Sequence, residues 1–320
     1  MKYLGSIILT FCFLVQLSCQ STKALAQTSK VTATQVAHSP YVFPYSINQP
    51  NKVFKMPSPL KEISGLSLTK SGTQLVAVSD EFGYLYFINK ESGEVEKEIQ
   101  FYKDGDYEGV EFVGDKIFVV KSTGTLYEID NLDADSVTCT KHKYKLKKDN
   151  DVEGLAYDKK NNCLLVVCKG NHCHEEFESK EDCWKKKAVY SINLDFNVMN
   201  PTPKYVVELK AVKEFLINNR TPEQLKAFES NLKEDGELFK FNPSGLAIHP
   251  KTNNLYVIAS KGKTIVVLSP EGKILHIEKL KKKLHTQPEG IAFDSDGVLF
   301  ISNEGKGKEG KGTVSRFEMK

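Results

Sequence analysis

Short apolar runs alternate with turn residues along most of the chain, at the spacing of β-strands. The clearest example lies between Ser244 and Leu280, where Pro, Gly and Asn residues separate four such runs. Valine, isoleucine and leucine dominate the two middle runs, which is typical of strands covered on both faces. This segment predicts four consecutive strands, at Ser244–His249, Leu255–Ala259, Thr264–Ser269 and Lys273–Leu280.

The four-strand pattern recurs together with a glycine phrase. DVEGLAYD, at Asp151–Asp158, is matched elsewhere by EISGLSLT, DYEGVEFV, NPSGLAIH and QPEGIAFD. The glycines of these phrases are Gly65, Gly109, Gly154, Gly245 and Gly290, so they follow one another at steps of 44, 45, 91 and 45 residues. A regular period in this range is the signature of a repeat protein, and four strands per repeat predict the blades of a β-propeller.

The 91-residue step predicts one blade with an insertion. One complete set of strands follows Gly154, and the remainder has a helical pattern. Leu209–Asn218 places apolar residues on one face, and Thr221–Gln224 forms a capping box that begins a second helix at Pro222–Lys233. The sequence therefore predicts five blades, with a helical insertion at about residues 210–240.

The last repeat predicts how the ring closes. It contains only three strands, whereas Asn51–Met56 is a spare strand ahead of the first repeat. Adding this strand to the last blade would hide the exposed sheet edges. The expected fold is an all-β, five-bladed β-propeller at residues 45–320, closed by an N-terminal strand.

Composition and charge exclude several classes of protein. The chain has 320 residues, of which 40% are hydrophobic and 27% charged, and its net charge is +3. These fractions are those of a globular protein, so disordered and collagen-like structures are excluded. Positive and negative residues are interspersed, and the basic runs Lys185–Lys187 and Lys281–Lys283 are short. We therefore expect no nucleic-acid partner.

The N-terminus predicts export. Lys2 precedes an apolar run, Leu4–Val15, that is too short to span a bilayer as a stable helix. Leu17-Ser18-Cys19 resembles a lipobox, which favours a signal peptide at residues 1–18, lipidation of Cys19 and a flexible tether at residues 19–44. Such a protein would be anchored by its lipid to a bacterial envelope membrane. The alternative is cleavage at Ala24–Ala26, which would give a soluble periplasmic or secreted protein.

Five further cysteines follow the N-terminal segment. Cys163 and Cys168 lie in one apolar strand and point to opposite faces, so they cannot bridge each other. Cys173 and Cys183 flank a charged loop and are the best candidates for a disulfide in an oxidising compartment. Two alternatives stay open: unpaired thiols, or a metal site that uses the His172–His174 run.

The first strand of each blade lines the central channel of a propeller, so residues one and three before each glycine should face that channel. All ten are polar, and six of them are carboxylates: Ser64, Glu108, Glu153, Ser244 and Glu289 next to the glycines, and Glu62, Asp106, Asp151, Asn242 and Gln287 two positions earlier. The ends of the second strands should supply neighbours: Asp80, Lys121, Lys169, Lys261 and Asn303.

Two arrangements of these residues are open. The lysines could pair with the glutamates, which would be purely structural. Alternatively, a hard cation could lie among carboxylate and amide oxygens, which suit Ca²⁺ best. The ligands would then be Glu108, Glu153, Glu289, Asp80 and Asn303.

These repeats also carry a family resemblance. With EISGL, DGDYEGVEFVGD, NDVEGLAYDKKNN, PSGLAIHPKTNNLYVIAS and QPEGIAFDSDGVLFISNEG, the chain resembles the SdiA-regulated family over roughly residues 45–320. That family is similar at a distance to NHL-repeat propellers. The resemblance implies a five-bladed propeller with bound calcium, often behind an export signal or a lipid anchor, and it assigns no reaction. It implies a metal-side role for Glu108, Glu153 and Glu289, whereas Ser64 and Ser244 depart from the glutamate pattern.

Two functions follow as expectations. The first is an exported cell-envelope propeller that binds calcium in its channel and recognises a ligand or an envelope protein, as a monomer that meets the membrane only through its lipid. The alternative is a calcium-dependent hydrolase of the lactonase or phytase-like phosphoesterase type, in which the cation polarises an oxygen and activates water. No motif of an activated nucleophile is present in the sequence, so no catalytic residue is assigned.

Overall fold

Each glycine phrase forms the innermost strand of one antiparallel sheet. The computed structural model describes residues 41–134, 136–170, 184–232, 239–307 and 309–320. The strands of blade 1 are β2 Ile63–Leu68, β3 Gln74–Ser79, β4 Tyr84–Asn89 and β5 Val95–Gln100. The strands of blade 2 are β6 Tyr107–Val113, β7 Lys116–Lys121, β8 Thr125–Asp130 and β9 Thr138–Lys143.

The other three sheets follow the same order from the channel outward. The strands of blade 3 are β10 Val152–Asp158, β11 Cys163–Cys168 and β12 Lys186–Asn193, with β13 Val198–Met199 and β14 Tyr205–Glu208 both paired to β12. The strands of blade 4 are β15 Asn242–Ile248, β16 Leu255–Lys261, β17 Thr264–Leu268 and β18 Ile274–Lys279. The strands of blade 5 are β19 Pro288–Phe293, β20 Leu299–Asn303, β21 Thr313–Phe317 and the N-terminal β1 Lys52–Lys55.

These sheets confirm the predicted five-bladed propeller. The inner strands contact one another around a ring in the order β2, β6, β10, β15, β19 and back to β2. β1 runs antiparallel to β21, with Lys52 opposite Arg316 and Lys55 opposite Thr313. Two segments of the chain, one N-terminal and one C-terminal, therefore share the fifth blade.

The hydrophobic core is divided into five layers, one between each pair of neighbouring blades. Each sheet is apolar on both faces because both faces are covered, which explains the continuous Val/Ile/Leu runs of the middle strands. In β11, every residue from Cys163 to Cys168 is buried. The described cysteines Cys139, Cys163 and Cys168 are free thiols.

The glycines that define the repeat are required where the inner strands approach the axis. A Cβ atom at Gly65 would lie 2.7 Å from the backbone nitrogen of Val110 in the next blade. At Gly245 it would lie 2.3 Å from the carbonyl oxygen of Glu289. Both distances are far inside van der Waals contact, so only glycine lets neighbouring blades meet at this radius.

The predicted helical insertion is present between β14 and β15. It contains α1 Leu209–Asn219, α2 Pro222–Leu225 and α3 Glu229–Leu232, with a short 3₁₀ turn between the last two. The capping box forms: the amide of Gln224 donates to the Thr221 hydroxyl, and the Gln224 side chain accepts from the Thr221 amide. Val212, Leu216 and Phe228 are buried against the layer between blades 3 and 4. None of the described helices is long and apolar enough to cross a membrane.

The N-terminal predictions fall largely outside the described residues: the signal peptide at residues 1–18, Cys19 and most of the tether at residues 19–44. So do Cys173 and Cys183. The end of the predicted tether, residues 41–44, is described and packs against blade 4. The Tyr41 and Tyr256 hydroxyls lie 2.5 Å apart, and the Phe43 ring stacks on His276. These aromatic contacts extend the packed domain to Tyr41, four residues before the predicted boundary.

Candidate cation site at the channel mouth

The residues that precede the glycines face the central channel, because side chains alternate along each inner strand. Ser64, Glu153, Ser244 and Glu289 are buried there, and Glu108 is partly buried. A small cavity on the axis is lined by Glu108, Glu153 and Ser244 together with the ring of glycines. The channel therefore brings together three of the five metal ligands predicted from the sequence.

Polar contacts around this ring differ from blade to blade. The Ser64 hydroxyl donates to Oε2 of Glu108 over 3.0 Å, whereas the Ser244 hydroxyl donates to the carbonyl oxygen of Pro288 over 2.7 Å. Glu153 forms an ion pair with Lys169, whose ammonium also lies 3.4 Å from Asp151. One blade thus realises the lysine–glutamate pairing that the sequence left open.

The three channel glutamates are held toward their neutral form. Burial raises the pKa of Glu108, and the charges of Glu153 and Asp106 raise it further. Burial likewise raises the pKa of Glu289, together with the charges of Glu304 and Glu153. Burial also raises the pKa of Glu153, although Lys169 opposes this effect. The channel therefore holds more carboxyl groups than it can ionise without a cation.

A backbone hydrogen bond defines the equivalent residues at the mouth. In four blades, the residue after the second strand donates its N–H to the carbonyl oxygen of the residue three before the glycine. The donor–acceptor pairs are Asp80 with Glu62, Ser122 with Asp106, Lys169 with Asp151, and Glu304 with Gln287. The equivalent mouth residues are therefore Asp80, Ser122, Lys169 and Glu304.

Two of the residues predicted at the strand ends, Lys121 and Asn303, lie elsewhere. The Lys121 ammonium lies over the ring of Tyr107, 5.6 Å from its centroid, while Ser122 bonds to Asp106 at the mouth. Asn303 is fully buried, and its two polar side-chain atoms have no hydrogen-bond partner among the described residues. Lys261, in contrast, lies opposite Asn242, three residues before Gly245, so it holds the mouth position of blade 4, where it is exposed.

A carboxylate cluster lies at the mouth between blades 1 and 5. One oxygen each of Glu62, Asp80 and Glu304 lies within 4.8 Å of the others, and this is the one such group among the described residues. Burial and the charges of Glu62 and Glu81 raise the pKa of Asp80 to about 6. Burial and the charges of Asp80 and Glu62 raise the pKa of Glu304 to about 8. Three oxygen donors at this spacing suit a hard divalent cation.

Glu304 is the site residue that the sequence prediction missed. The apolar run predicted a strand that ends at Ser302 and so pointed to Asn303, whereas β20 continues through Asn303. The pairing register would have identified it. Pro288 lies opposite Asn303 just as Ile63 lies opposite Ser79, so the next residue, Glu304, corresponds to Asp80.

Lysine side chains lie at the mouth on blades 3 and 4. Lys187 is buried and donates its ammonium to the carbonyl oxygen of Lys169 over 2.6 Å. Burial lowers the pKa of Lys187, although the charge of Asp151 opposes this effect. Lys263 follows in the hairpin of blade 4 and donates to the carbonyl oxygen of Thr286 over 2.6 Å. The mouth therefore carries these lysines on blades 3 and 4 next to the carboxylate cluster of blades 1 and 5.

The chain matches the family model described as SdiA-regulated over residues 47–173 and 196–306, which is more than half of its length. No curated protein sequence matches it. Among solved structures, it is similar to a Myxococcus xanthus glutaminyl cyclase at 12% identity and a TM-score of 0.52, over 85% of this chain and 97% of that chain.

Two further solved structures are similar at a lower level. A luciferin-regenerating enzyme has 11% identity and a TM-score of 0.47, over 84% of this chain and 95% of that chain. A streptogramin B lyase has 10% identity and a TM-score of 0.45, over 84% and 97%. At such identities the likeness concerns the fold alone.

Proposed function

The chain belongs to the SdiA-regulated family, and from that premise we propose that it is an exported propeller that binds Ca²⁺ at the mouth of its channel. The bound ion serves the recognition of a ligand or an envelope protein. The observation that carries this proposal is the convergence of Glu62, Asp80 and Glu304, whose oxygens lie within 4.8 Å of one another.

The electrostatics of the cluster support a cation. Burial, and then the like charges of the neighbouring carboxylates, disfavour ionisation and raise the pKa values of Asp80 and Glu304 to about 6 and about 8. A divalent ion would favour the ionised form of all three groups, because it is the largest charge in its surroundings. The ion would relieve the electrostatic repulsion among the three carboxylates, and this relief would contribute to its binding free energy.

An unsatisfied oxygen supports the same conclusion. Oδ1 of Asp80 is buried and accepts no hydrogen bond from any described residue. Leaving a buried polar atom unpaired costs about 1–3 kcal/mol, and coordination of a metal ion would remove this cost. Asn303, which precedes Glu304 in the chain, has a fully buried side chain whose polar atoms are also unpaired.

The donor set favours calcium over softer metals. Carboxylate oxygens suit Mg²⁺, Ca²⁺ and Mn²⁺, whereas zinc in proteins relies on Cys and His ligands. Ca²⁺ accepts about six to eight oxygens in flexible geometry, so Glu62, Asp80 and Glu304 would leave positions for water or for a ligand. Of the five ligands predicted from the sequence, this proposal keeps Asp80, and Glu62 and Glu304 take the place of Glu108, Glu153, Glu289 and Asn303.

Calcium titration of the purified, chelator-treated chain tests this proposal. We expect one site in the wild type and at least about a tenfold loss of affinity in Asp80→Asn and Glu304→Gln, because ligand charge sets calcium affinity. Asp133→Asn and Glu94→Gln make the same chemical changes at exposed positions and should bind as the wild type does. Glu108→Gln separates the two candidate positions, since it should lose affinity only if the ion lies deep in the channel. The absence of any calcium binding would refute the proposal.

Hydrolysis is the alternative use of such an ion. A calcium-bound water beside Glu62 could be deprotonated by that carboxylate and attack an ester, lactone or phosphoester. A screen against these three substrate classes, with and without chelator, distinguishes the two functions. Turnover that chelator abolishes and Glu62→Gln reduces would favour the hydrolase, whereas calcium binding without turnover favours recognition.

We also propose that the chain is anchored by lipidation of Cys19. The support is the apolar run at Leu4–Val15 followed directly by Leu17-Ser18-Cys19. Mass spectrometry of the N-terminal peptide from the native host distinguishes a diacylated Cys19 from a free N-terminus at Gln27. If the N-terminus is Gln27, the protein is soluble and the anchor is wrong.

A further inference from the structure

Lys263 occupies a costly position beside the candidate cation site. It lies in the two-residue hairpin between β16 and β17 and has a positive φ of 49°. Residues other than glycine and asparagine rarely adopt this left-handed conformation, which costs about 1–2 kcal/mol. The ammonium is also half-buried, and burial together with the charges of Lys306 and Lys282 lowers its pKa to about 8, against the opposing charge of Glu289.

An asparagine or glycine would avoid both of these costs at the same position. The side chain is nevertheless firmly placed, because its Nζ donates to the carbonyl oxygen of Thr286 at 2.6 Å and to that of Ser260 at 3.4 Å. These two bonds leave the third N–H of the ammonium without a partner among the described residues. A lysine held in this way can bind an anion with its remaining donor.

The lysine is structurally linked to the carboxylate cluster. Thr286, which accepts from Lys263, donates its own hydroxyl to the carbonyl oxygen of Glu304 over 3.2 Å. The loop after Glu304 is fixed to blade 1, because the N–H of Gly305 donates to the carbonyl oxygen of Lys61 over 2.8 Å. The same loop carries Lys306, whose charge reaches Lys263. Acidic groups of blades 1 and 5 and basic groups of blades 4 and 5 are therefore linked around the mouth of the channel.

We propose that this opening binds an anionic oxygen group of a small ligand, such as a phosphate or a carboxylate, between the cation at Glu62, Asp80 and Glu304 and the ammonium groups of Lys263 and Lys306. The inference rests on the proposed cation site and adds the chemical class of the ligand. The carboxylates alone would repel an anion, so binding requires the ion. A cation held by three side chains keeps coordination positions that an anionic oxygen can fill.

Isothermal titration of the full chain with methyl phosphate and with acetate, each at saturating Ca²⁺, tests this. The two probes distinguish a phosphate ligand from a carboxylate one. We expect at least one to bind, and Lys263→Asn to weaken that binding by at least about tenfold, since a charge-assisted hydrogen bond is lost. Asparagine tolerates positive φ, so this variant should fold as well as the wild type.

Lys273→Asn is the matched control, because it removes an exposed lysine from the other end of the same blade. It should bind the probe as the wild type does. If calcium binds but neither probe does, or if both lysine variants bind equally well, the anion site is wrong and the cation site stands. If calcium itself does not bind, the cation site is wrong, and the anion site, which requires the ion, is wrong with it.

Discussion

Ser64 donates its hydroxyl to Oε2 of Glu108 across 3.0 Å, although the two residues are 44 positions apart in the chain. They occupy the same position in neighbouring blades, so the interaction follows directly from the repeat. The bond favours the ionised form of Glu108, while burial and the charge of Glu153 oppose it. Neighbouring groups of the channel therefore have opposing effects on the protonation state of Glu108.

Removal of calcium should make stability fall as pH rises. The folded chain raises the pKa of Asp80 from 3.8 to about 6 and that of Glu304 from 4.5 to about 8. Their stabilising effect is complete below the unfolded values and is lost as pH rises toward the folded ones. In chelator, the melting temperature of the wild type should decrease between pH 5 and pH 8 relative to that of Asp80→Asn/Glu304→Gln.

The comparison with the double variant is necessary because two histidines act in the opposite direction. Burial lowers the pKa of His249 and of His285 to about 4, so the stability they contribute is lost as pH falls below their unfolded value of 6.5. Both histidines are unchanged in the double variant. Parallel pH profiles for the two proteins would show that the cluster does not carry raised pKa values.

Glu108→Gln should be as stable as the wild type at pH 5 and more stable at pH 8 in chelator. Glutamine keeps an oxygen for the Ser64 hydroxyl but has no proton to lose. The wild type is penalised above the ordinary pKa of glutamate because its unfolded chain ionises while the folded chain does not. Glu98→Gln, at an exposed position, should show no such difference. Urea unfolding at both pH values measures the effect.

The sequence predicts the fold far better than the site, for a physical reason. Gly65 and Gly245 are fixed by backbone contact between blades, so the repeat shows in the chain as a regular period. The identity of the mouth residues depends on where each second strand ends against its partner. In the last blade the predicted strand end, Asn303, is one residue away from the observed mouth residue, Glu304. The period of the repeat does not fix the position of a strand end to a single residue. Lys263, in a hairpin of blade 4, interacts with the charge of Glu289, in the inner strand of blade 5, and no sequence pattern predicts this interaction between blades.

Lys90→Ala should destabilise the fold by about 3 kcal/mol, because it removes one partner of a buried ion pair. The Lys90 ammonium lies 2.9 Å from Oδ2 of Asp294, and it joins the first blade to the last. The Asp294 side chain is only 3% exposed, so its charge would be left unpaired away from water. Lys70→Ala breaks the exposed pair with Asp115 and should cost less than about 1 kcal/mol. Equal costs in urea unfolding would contradict the proposed role of the buried pair.

Gly245→Ala should destabilise the propeller by about 3 kcal/mol or more, because the new methyl group would overlap the carbonyl oxygen of Glu289 at 2.3 Å. Gly114→Ala is the control: its φ is 64°, but nothing lies within 4 Å of the added carbon. That variant should lose only the conformational cost of about 1 kcal/mol. Chemical denaturation gives the free energy of unfolding of both variants. A larger loss in Gly245→Ala than in Gly114→Ala would show that glycine is required at the axis for close packing.

Anion binding at saturating calcium should weaken as pH rises from 7 to 9. The Lys263 ammonium has a pKa of about 8, so it loses its charge across this range, while methyl phosphate is already a dianion. The groups that interact electrostatically with Lys263 are Lys306, Lys282, Lys279, Glu289 and His285, and burial lowers the pKa of His285 to about 4, so it stays neutral over this range. Deprotonation of Glu304 strengthens calcium binding over the same range, which is why the ion must be saturating.

Titrations at pH 7, 8 and 9 should show falling affinity for methyl phosphate in the wild type and little further change in Lys263→Asn. An equal pH dependence in both proteins would mean that Lys263 does not contact the anion.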